Sequence, residues 1–206
     1  MYQYQKKVPF FVYLIESPSP EDLFNNRSEG EMLKKMLSFY NFDCILRTAT
    51  TKDLFIQALE KDVFNEIKNH DNTQLIIHIS THGNNNGLGL TNNEHISWAD
   101  ITELLEPINK KMSNGLLLCL SACESSSACT MALSDKKPFL GMVANNDKPT
   151  WPETATAYTS FYHLFSKGYA ARDAVKIIRS ASDNEHFVFA TIDEIKMVED
   201  QVLNKN

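Results

Sequence analysis

The chain has 206 residues, 43% of them hydrophobic, which is enough to fill one continuous core, and we expect residues 1–206 to form a single domain. The formal net charge of −6 and the lack of any Lys/Arg cluster longer than a pair exclude nucleic acid and anionic membrane surfaces as expected partners. No segment approaches the ~18 consecutive apolar residues that a membrane span needs.

The first residues resemble a signal peptide because two lysines precede an apolar run. That run is only ~8 residues long, is rich in β-branched and aromatic residues, and lacks a small-residue cleavage site. We therefore predict a first strand over residues 8–16 and no export signal. Without export, the four cysteines are expected to be reduced thiols in a cytoplasm.

Apolar strands alternate with helical patterns along the rest of the chain, which is typical of an α/β fold with a mainly parallel sheet covered on both faces. An amphipathic helix is predicted near 29–40, and Thr51 or Asp53 can cap the next helix. Pro107 should bend or shorten the helix predicted over 99–112. The remaining predicted strands are 42–47, 74–80, 115–121, 138–145 and 186–191, with a small hairpin that pairs 88–90 with 95–97, and the remaining helices are 154–168, 171–181 and a charged C-terminal helix.

Two strand ends carry side chains suited to chemistry, and active sites of open parallel sheets form where strands end. Strand 74–80 leads into His82 and Gly83, and strand 115–121 leads into Cys123. If these strands are neighbours, their ends lie ~5 Å apart, which brings an imidazole within potential reach of a thiol. A histidine can take the thiol proton and return it to a leaving amine. Gly83 lets substrate approach closely, where backbone N–H donors stabilise an oxyanion.

The other cysteines have structural interpretations. Cys44 and Cys119 lie inside apolar strands, where a thiol acts as a small buried hydrophobe, and Cys129 follows in a helical or loop segment. Three and five residues separate Cys119, Cys123 and Cys129, which does not match the spacing of zinc sites. His78 is expected to be a hydrogen-bonded core histidine. The remaining histidines are expected to be surface or structural residues: His70, His95, His163 and His186.

Two segments resemble the signatures of the caspase-like clan (clan CD) of cysteine peptidases: IIHISTHG, which contains His82, and LLLCLSAC, which ends in Cys123. The closest likeness is to the bacterial CHAT branch, the caspase- and separase-related group, since SAC stands in place of the QAC of eukaryotic caspases. Residues 141–181 are similar to the half of CHAT domains that follows the cysteine. The likeness covers most of residues 74–191.

This resemblance implies a caspase-like three-layer α/β/α sandwich around a mainly parallel six-stranded central sheet, and it implies protein cleavage. It assigns His82 as general base and acid and Cys123 as nucleophile, with the backbone N–H groups of Gly83 and Cys123 as oxyanion donors. It implies no metal and no organic cofactor. The chain has no aspartate-rich interdomain linker, so a two-chain mature form is not expected.

The substrate pocket of this clan usually draws its wall from the ends of the first, fourth and fifth strands, which here supply Glu16, Glu124 and Asp147. If one of these carboxylates points inward, charge pairing would favour a basic residue before the scissile bond. The alternative is that all three are solvated rim charges.

Together these features predict a cysteine endopeptidase that cleaves a partner protein through an acyl-enzyme intermediate. We expect a regulated effector of a bacterial stress, antiviral defence or cell-death system, with an activating or targeting protein partner. The polar segments 84–95 and 124–137 are candidates for loops that must order before catalysis. Two alternatives stay open: a catalytically silent caspase-like interaction module, and another cysteine-dependent acyl transferase or amidase.

Overall fold

A mainly parallel sheet organises the molecule. The computed structural model describes residues 9–203, so Val8 of the first predicted strand lies outside the described residues. Within that range the strands are β1 (Phe10–Ser17), β2 (Cys44–Thr48), β3 (Gln74–Asn84), β4 (Gly87–Gly89), β5 (His95–Ser97), β6 (Leu117–Ser121), β7 (Gly141–Asn145) and β8 (Phe187–Thr191). Six of them form a central sheet in the order β2-β1-β3-β6-β7-β8, in which β8 alone is antiparallel to its neighbour. The predicted six-stranded, mainly parallel sheet is confirmed.

Helices cover both faces of this sheet. They are α1 (Pro20–Phe24), α2 (Glu29–Ser38), α3 (Lys52–Gln57), α4 (Val63–Asn69), α5 (Trp98–Lys111), α6 (Trp151–Ser166), α7 (Ala171–Ser182) and α8 (Ile192–Leu203). A π-helical turn, Ala58–Asp62, joins α3 to α4, and a 3₁₀ segment, Ser125–Leu133, follows β6. No helix within residues 9–203 combines the length and the apolar character needed to cross a bilayer.

Two hydrophobic clusters give the molecule its three layers. Successive side chains of a strand point to opposite faces, and every residue of β1 is buried, so this strand contributes to both clusters. Phe11, Tyr13 and Ile15 pack in the cluster that includes α3, α4, α5 and the 3₁₀ segment. Val12 and Leu14 pack in the opposite cluster, with α2, α6 and α7. The predicted α/β/α sandwich is confirmed.

Two local features differ from the sequence-based expectations. Helix α1 was not predicted, and it forms because the Ser19 hydroxyl accepts a hydrogen bond from the Asp22 N–H and Pro20 suits a first helical turn. Pro107 does not shorten α5, since burial of the apolar helix face outweighs one lost backbone hydrogen bond. That buried face includes Ile101, Leu105 and Ile108.

The strand predicted over residues 74–80 is longer in the structure. β3 continues to Asn84 because its last residues pair antiparallel with β4, with His82 opposite Gly89. β4 in turn pairs with β5, so the predicted hairpin is confirmed. A ladder on one side therefore holds the backbone of His82 and Gly83 in a defined position.

Candidate active site

The two strand ends that carry His82 and Cys123 are adjacent. β3 and β6 pair in parallel, with Ser80 opposite Ser121, so each candidate residue follows this pair by two positions on its own strand. His82 and Cys123 line one cleft of about 340 Å³. Residues at the start of α6 form the opposite wall of the cleft. There the rings of Trp151 and His82 pack edge to face, with 6.1 Å between their centroids.

The Cys123 thiol needs a base in this environment. Cys123 is half-buried, and this burial raises its pKa above the usual value, with Lys148 acting in the opposite direction and the carboxylates of Glu124 and Asp147 adding to the rise. The resting group at neutral pH is therefore the thiol, not the thiolate. His82 is exposed in the same cleft and, among the described residues, makes no direct hydrogen bond to the thiol. Catalytic hydrogen bonds often tighten only when substrate binds.

The backbone of Gly83 lies against the backbone of Cys123. A Cβ atom added at Gly83 would lie 2.6 Å from the Cys123 carbonyl oxygen and 3.0 Å from the Ala122 Cβ. Real Cβ atoms do not approach backbone this closely, so only glycine fits without movement of the chain. The backbone segments at Gly83 and Cys123, whose N–H groups are the predicted oxyanion donors, are therefore packed together.

The chain turns sharply after Cys123 and is tied to the loop after β7. Glu124 has a left-handed backbone (φ 52°), and its N–H donates to the Asp147 carbonyl at 2.8 Å. Its carboxylate lies 3.3 Å from the Lys148 ammonium. Ser125 accepts a hydrogen bond from the Asn145 N–H at 3.0 Å, so the segment that follows the cysteine is anchored to its neighbour strand.

The three carboxylates nominated for the pocket occupy different places. Glu124 faces Lys148, and Asp147 lies 3.7 Å from the exposed His186 ring, so both stand on the outer rim. Glu16 is buried on the other side of the dyad, where its carboxylate accepts from the Ser28 hydroxyl at 2.6 Å and from the Gly30 N–H at 3.0 Å. Glu16 thereby binds the first turn of α2 and lines a second cavity beside the cleft.

Glu29 is a buried carboxylate that the sequence did not reveal. It opens α2, is 9% exposed, and accepts a hydrogen bond from the Ser80 hydroxyl at 2.6 Å. Burial raises the pKa of its carboxyl to about 7, opposed by hydrogen bonds from Ser80, Ser121 and Thr154 and reinforced by Glu16. A glutamate in a first helical turn is ordinarily solvated, so only its tertiary contacts distinguish it.

The raised pKa of Glu29 predicts a pH dependence of stability. A carboxyl with a usual pKa of 4.5 and a folded pKa of about 7 binds its proton more tightly in the folded state. The free energy of unfolding should therefore fall as pH rises from about 4.5 to about 7, by up to about 3 kcal/mol in total. Urea unfolding of wild type and Glu29→Gln at pH 5 and pH 8 measures this, because the amide does not titrate. An equal pH dependence in both proteins would contradict the assignment.

The other cysteines and His78 have the surroundings expected of structural residues. Cys119 is buried and Cys44 half-buried, and burial raises the pKa of each thiol to about 12. His78 is fully buried with its Nδ1 2.8 Å from the Tyr162 hydroxyl, and burial lowers its pKa to about 3, so it is a neutral core histidine as predicted. Cys129 is half-buried against the core. In the described part of the chain, no three His, Cys, Asp or Glu side chains cluster so as to hold a metal ion.

Comparison with known families decides the class of protein. The family model described as the peptidase C13 family matches residues 4–191. The chain belongs to the peptidase C13 family. The predicted relationship to cysteine peptidases is confirmed at the level of this family. No curated protein sequence matches this member of the family.

Solved structures share the fold of this C13 family member at low sequence identity. An inactive zymogen of a C11 protease from Parabacteroides distasonis is 9% identical with a TM-score of 0.66, over 95% of this chain and 65% of that one. The Arg-specific cysteine proteinase gingipain R is 11% identical with a TM-score of 0.54, over 89% and 48%. A complex of the pro- and mature domains of RgpB from Porphyromonas gingivalis is 12% identical with a TM-score of 0.51, over 89% and 49%. The chain thus spans less than two thirds of each of these proteins.

Proposed function

We propose that this C13 peptidase is a cysteine endopeptidase that cleaves a partner protein, with His82 and Cys123 as its catalytic dyad. The observation that carries the proposal is the single cleft into which adjoining strand ends direct both side chains, with the Gly83 backbone against Cys123. Nucleophile, base and backbone donors within one concave site are the parts that acyl transfer requires.

The proposed reaction moves one proton twice. His82 takes the Cys123 proton as the sulfur attacks the scissile carbonyl, and the oxyanion is met by the N–H groups of Gly83 and Cys123. His82 then gives the proton to the leaving amine, which departs and leaves a thioester on Cys123. Water, activated by the same imidazole, hydrolyses the thioester and restores the thiol.

Several finer features belong to the same proposal. Of the three nominated carboxylates, Glu16 lines the cavity beside the cleft and so favours a basic residue before the scissile bond, and the similar gingipain R is described as Arg-specific. Control by order in the segments 84–95 and 124–137, or by a protein partner, accords with a zymogen and a pro-domain complex among the similar structures. We further place the protein, on its motifs, near the CHAT branch, as a single-domain cytoplasmic effector of bacterial stress, antiviral defence or cell death.

Labelling with a peptidyl acyloxymethyl ketone tests the dyad. The probe alkylates a nucleophilic cysteine that binds an acyl chain, so we expect wild-type labelling to be lost in Cys123→Ala. Cys129→Ala is the matched control, because Cys129 is also half-buried and burial also raises its pKa. Labelling that survives Cys123→Ala would reject the nucleophile.

Protein hydrolysis separates the remaining alternatives. We expect wild type to fragment a denatured protein substrate on a gel and Cys123→Ala to leave it intact. A silent interaction module would neither be labelled nor cleave, and an amidase or acyl transferase would be labelled without cleaving protein.

A further inference from the structure

A buried asparagine, Asn145, lies between the two walls of the catalytic cleft. It is the last residue of β7, is fully buried, and is the one polar residue of that strand. Cys119 pairs with Val143, so two positions further along, the end of β6 that leads into Cys123 runs beside Asn145. A buried polar side chain costs free energy unless it is hydrogen-bonded, so its partners indicate what it does.

One end of the Asn145 amide fixes the loop that holds the turn after the candidate nucleophile. Its Oδ1 accepts from the Asp147 N–H at 2.8 Å, and the Asp147 carbonyl accepts from the Glu124 N–H at 2.8 Å. The Asn145 backbone N–H donates to the Ser125 hydroxyl oxygen at 3.0 Å. Glu124 and Ser125 directly follow Cys123. Asn145 therefore acts on the position of the thiol and of the backbone N–H beside it.

The other end of the same amide leads to the wall that faces His82. Its Nδ2 donates to the Asn184 Oδ1 at 3.2 Å, and the Asn184 Nδ2 donates to the Glu153 carboxylate at 3.1 Å. The second carboxylate oxygen of Glu153 accepts from the Thr150 N–H at 2.6 Å, at the start of α6. The next residue is Trp151, whose ring packs on the His82 ring. One chain of hydrogen bonds therefore runs from the turn after the cysteine to the wall beside the histidine.

The two amides of this chain are each held in one orientation. The Asn184 Oδ1 also accepts from the His186 N–H at 3.0 Å, so this amide loses two bonds if it turns over. A reversed Asn145 amide would place its Oδ1 against the Asn184 Oδ1 and its NH₂ group against the Asp147 N–H. A buried network with a single satisfied arrangement is rigid. It therefore fixes the relative position of the segments that it joins.

We propose that Asn145 is a positioning residue for catalysis, which holds the turn after Cys123 in register with the wall at Trp151. It acts through the segments that it joins and not by contact with the reacting atoms. The inference rests on the proposed function, because it takes Cys123 as nucleophile and His82 as base. A displacement of reacting groups by about 1 Å can lower a rate by about 10²-fold. Loss of Asn145 should therefore affect the chemical step more than substrate binding.

Steady-state kinetics separate positioning from folding. Asn145→Ala should lower kcat on a fluorogenic peptide at least about fivefold, with KM within about threefold of wild type. Asn109→Ala is the matched control, because Asn109 is also fully buried and its amide also joins two segments. That amide donates to the Lys137 carbonyl at 2.8 Å and accepts from the Leu116 N–H at 3.0 Å, at the start of β6, whereas Cys123 follows the end of β6. Asn109→Ala should lower the melting temperature and leave kcat within about threefold of wild type.

Asn184→Ala is a second variant, which keeps the inference testable if Asn145→Ala does not fold. It breaks the link to α6 and leaves the bond between Asn145 and Asp147 in place, and kcat should again fall at least about fivefold. In the double variant the fall should be smaller than the product of the two single falls, because both substitutions break one chain of hydrogen bonds. A fall of less than about fivefold in either folded single variant, or an equal fall in Asn109→Ala, overturns the inference.

Two labelling reagents test the geometry at Cys123 without turnover. Iodoacetamide needs only an accessible thiol, whereas a peptidyl acyloxymethyl ketone also needs the base and the oxyanion donors in place. The rate of ketone labelling divided by the rate of iodoacetamide alkylation, both followed at Cys123 by mass spectrometry, should be at least about fivefold lower in Asn145→Ala and unchanged in Asn109→Ala.

The labelling ratio also separates failure of this inference from failure of the proposed function. A change of both rates by one factor in Asn145→Ala would indicate altered exposure of the thiol alone, and it overturns the inference even if wild type cleaves peptides. Wild type that is labelled at Cys123 but cleaves no peptide would contradict the proposed endopeptidase, while the lowered ratio in Asn145→Ala would still support the positioning role.

Discussion

Replacing His82 with Ala should lower kcat/KM by about 10³-fold or more at pH 7. The thiol it serves is held protonated by burial, because its pKa is raised above the usual cysteine value. Without the imidazole, attack depends on the small fraction of thiolate present in solution. The residual activity of His82→Ala should therefore rise close to tenfold per pH unit. This rise should continue at pH values above the pKa of a free cysteine, where the activity of an unperturbed thiol would already be constant.

The comparison protein for this test is His163→Ala. His163 is exposed on α6 and its Nδ1 lies 2.7 Å from the Tyr40 hydroxyl, away from the cleft, so its removal controls for the loss of a histidine. Rates from pH 6 to pH 10 with one fluorogenic peptide supply both measurements. If His82→Ala keeps activity within about tenfold of wild type at pH 7, His82 is not the base.

Replacing Gly83 with Ala should cost about 10²- to 10³-fold in kcat, the effect of misplacing oxyanion donors. The new methyl group would lie 2.6 Å from the Cys123 carbonyl oxygen, so the β3 edge or the turn after β6 must move. Either movement displaces one of the two N–H groups relative to the other. Because residues 76–80 of β3 pair with both β1 and β6, we expect the fold to persist with a lower melting temperature.

Gly89→Ala is the matched control for this change. Gly89 pairs with His82 in the same ladder, and a Cβ there would lie 3.8 Å from the His82 Cβ, an ordinary contact. We would measure kcat and the melting temperature of both variants. A loss of kcat without unfolding then identifies a displaced active-site backbone, whereas a large fall in melting temperature identifies a folding defect. Near wild-type kcat in Gly83→Ala would show that the close approach of the two backbones is not used in catalysis.

The sheet and the candidate dyad were predictable because their signals are local. The four inner strands, β1, β3, β6 and β7, are apolar runs that are mostly buried on both faces. Alternation of strands and helices leaves few arrangements for such runs. His82 and Cys123 stand just beyond two of these runs, so parallel pairing alone places them at the same edge. The same local character explains the hairpin, whose turn residues and short strands are contiguous in the chain.

The errors arose where a tertiary contact outweighs a local preference. Pro107 disfavours helix by itself, but burial of one face of α5 is worth more than the hydrogen bond that proline removes. The strand was predicted to end at Ser80 because the residues after it are polar, yet β4 pairs with them in a ladder of hydrogen bonds. The burial of α5 and the pairing of β3 with β4 both depend on residues elsewhere in the chain, so the local sequence does not reveal them.

The sequence by itself determined the layered α/β fold, the order of its elements and the two side chains at adjoining strand ends, because periodic burial and strand ends are properties of neighbouring residues. Only the tertiary structure decided the burial of Glu29. Glu29 and Ser80 are far apart in the chain and meet because α2 packs on the sheet with its first turn over β3. Burial and hydrogen bonding of a carboxylate depend on what surrounds it in space, and a solvated glutamate and a buried one have the same letter in the sequence.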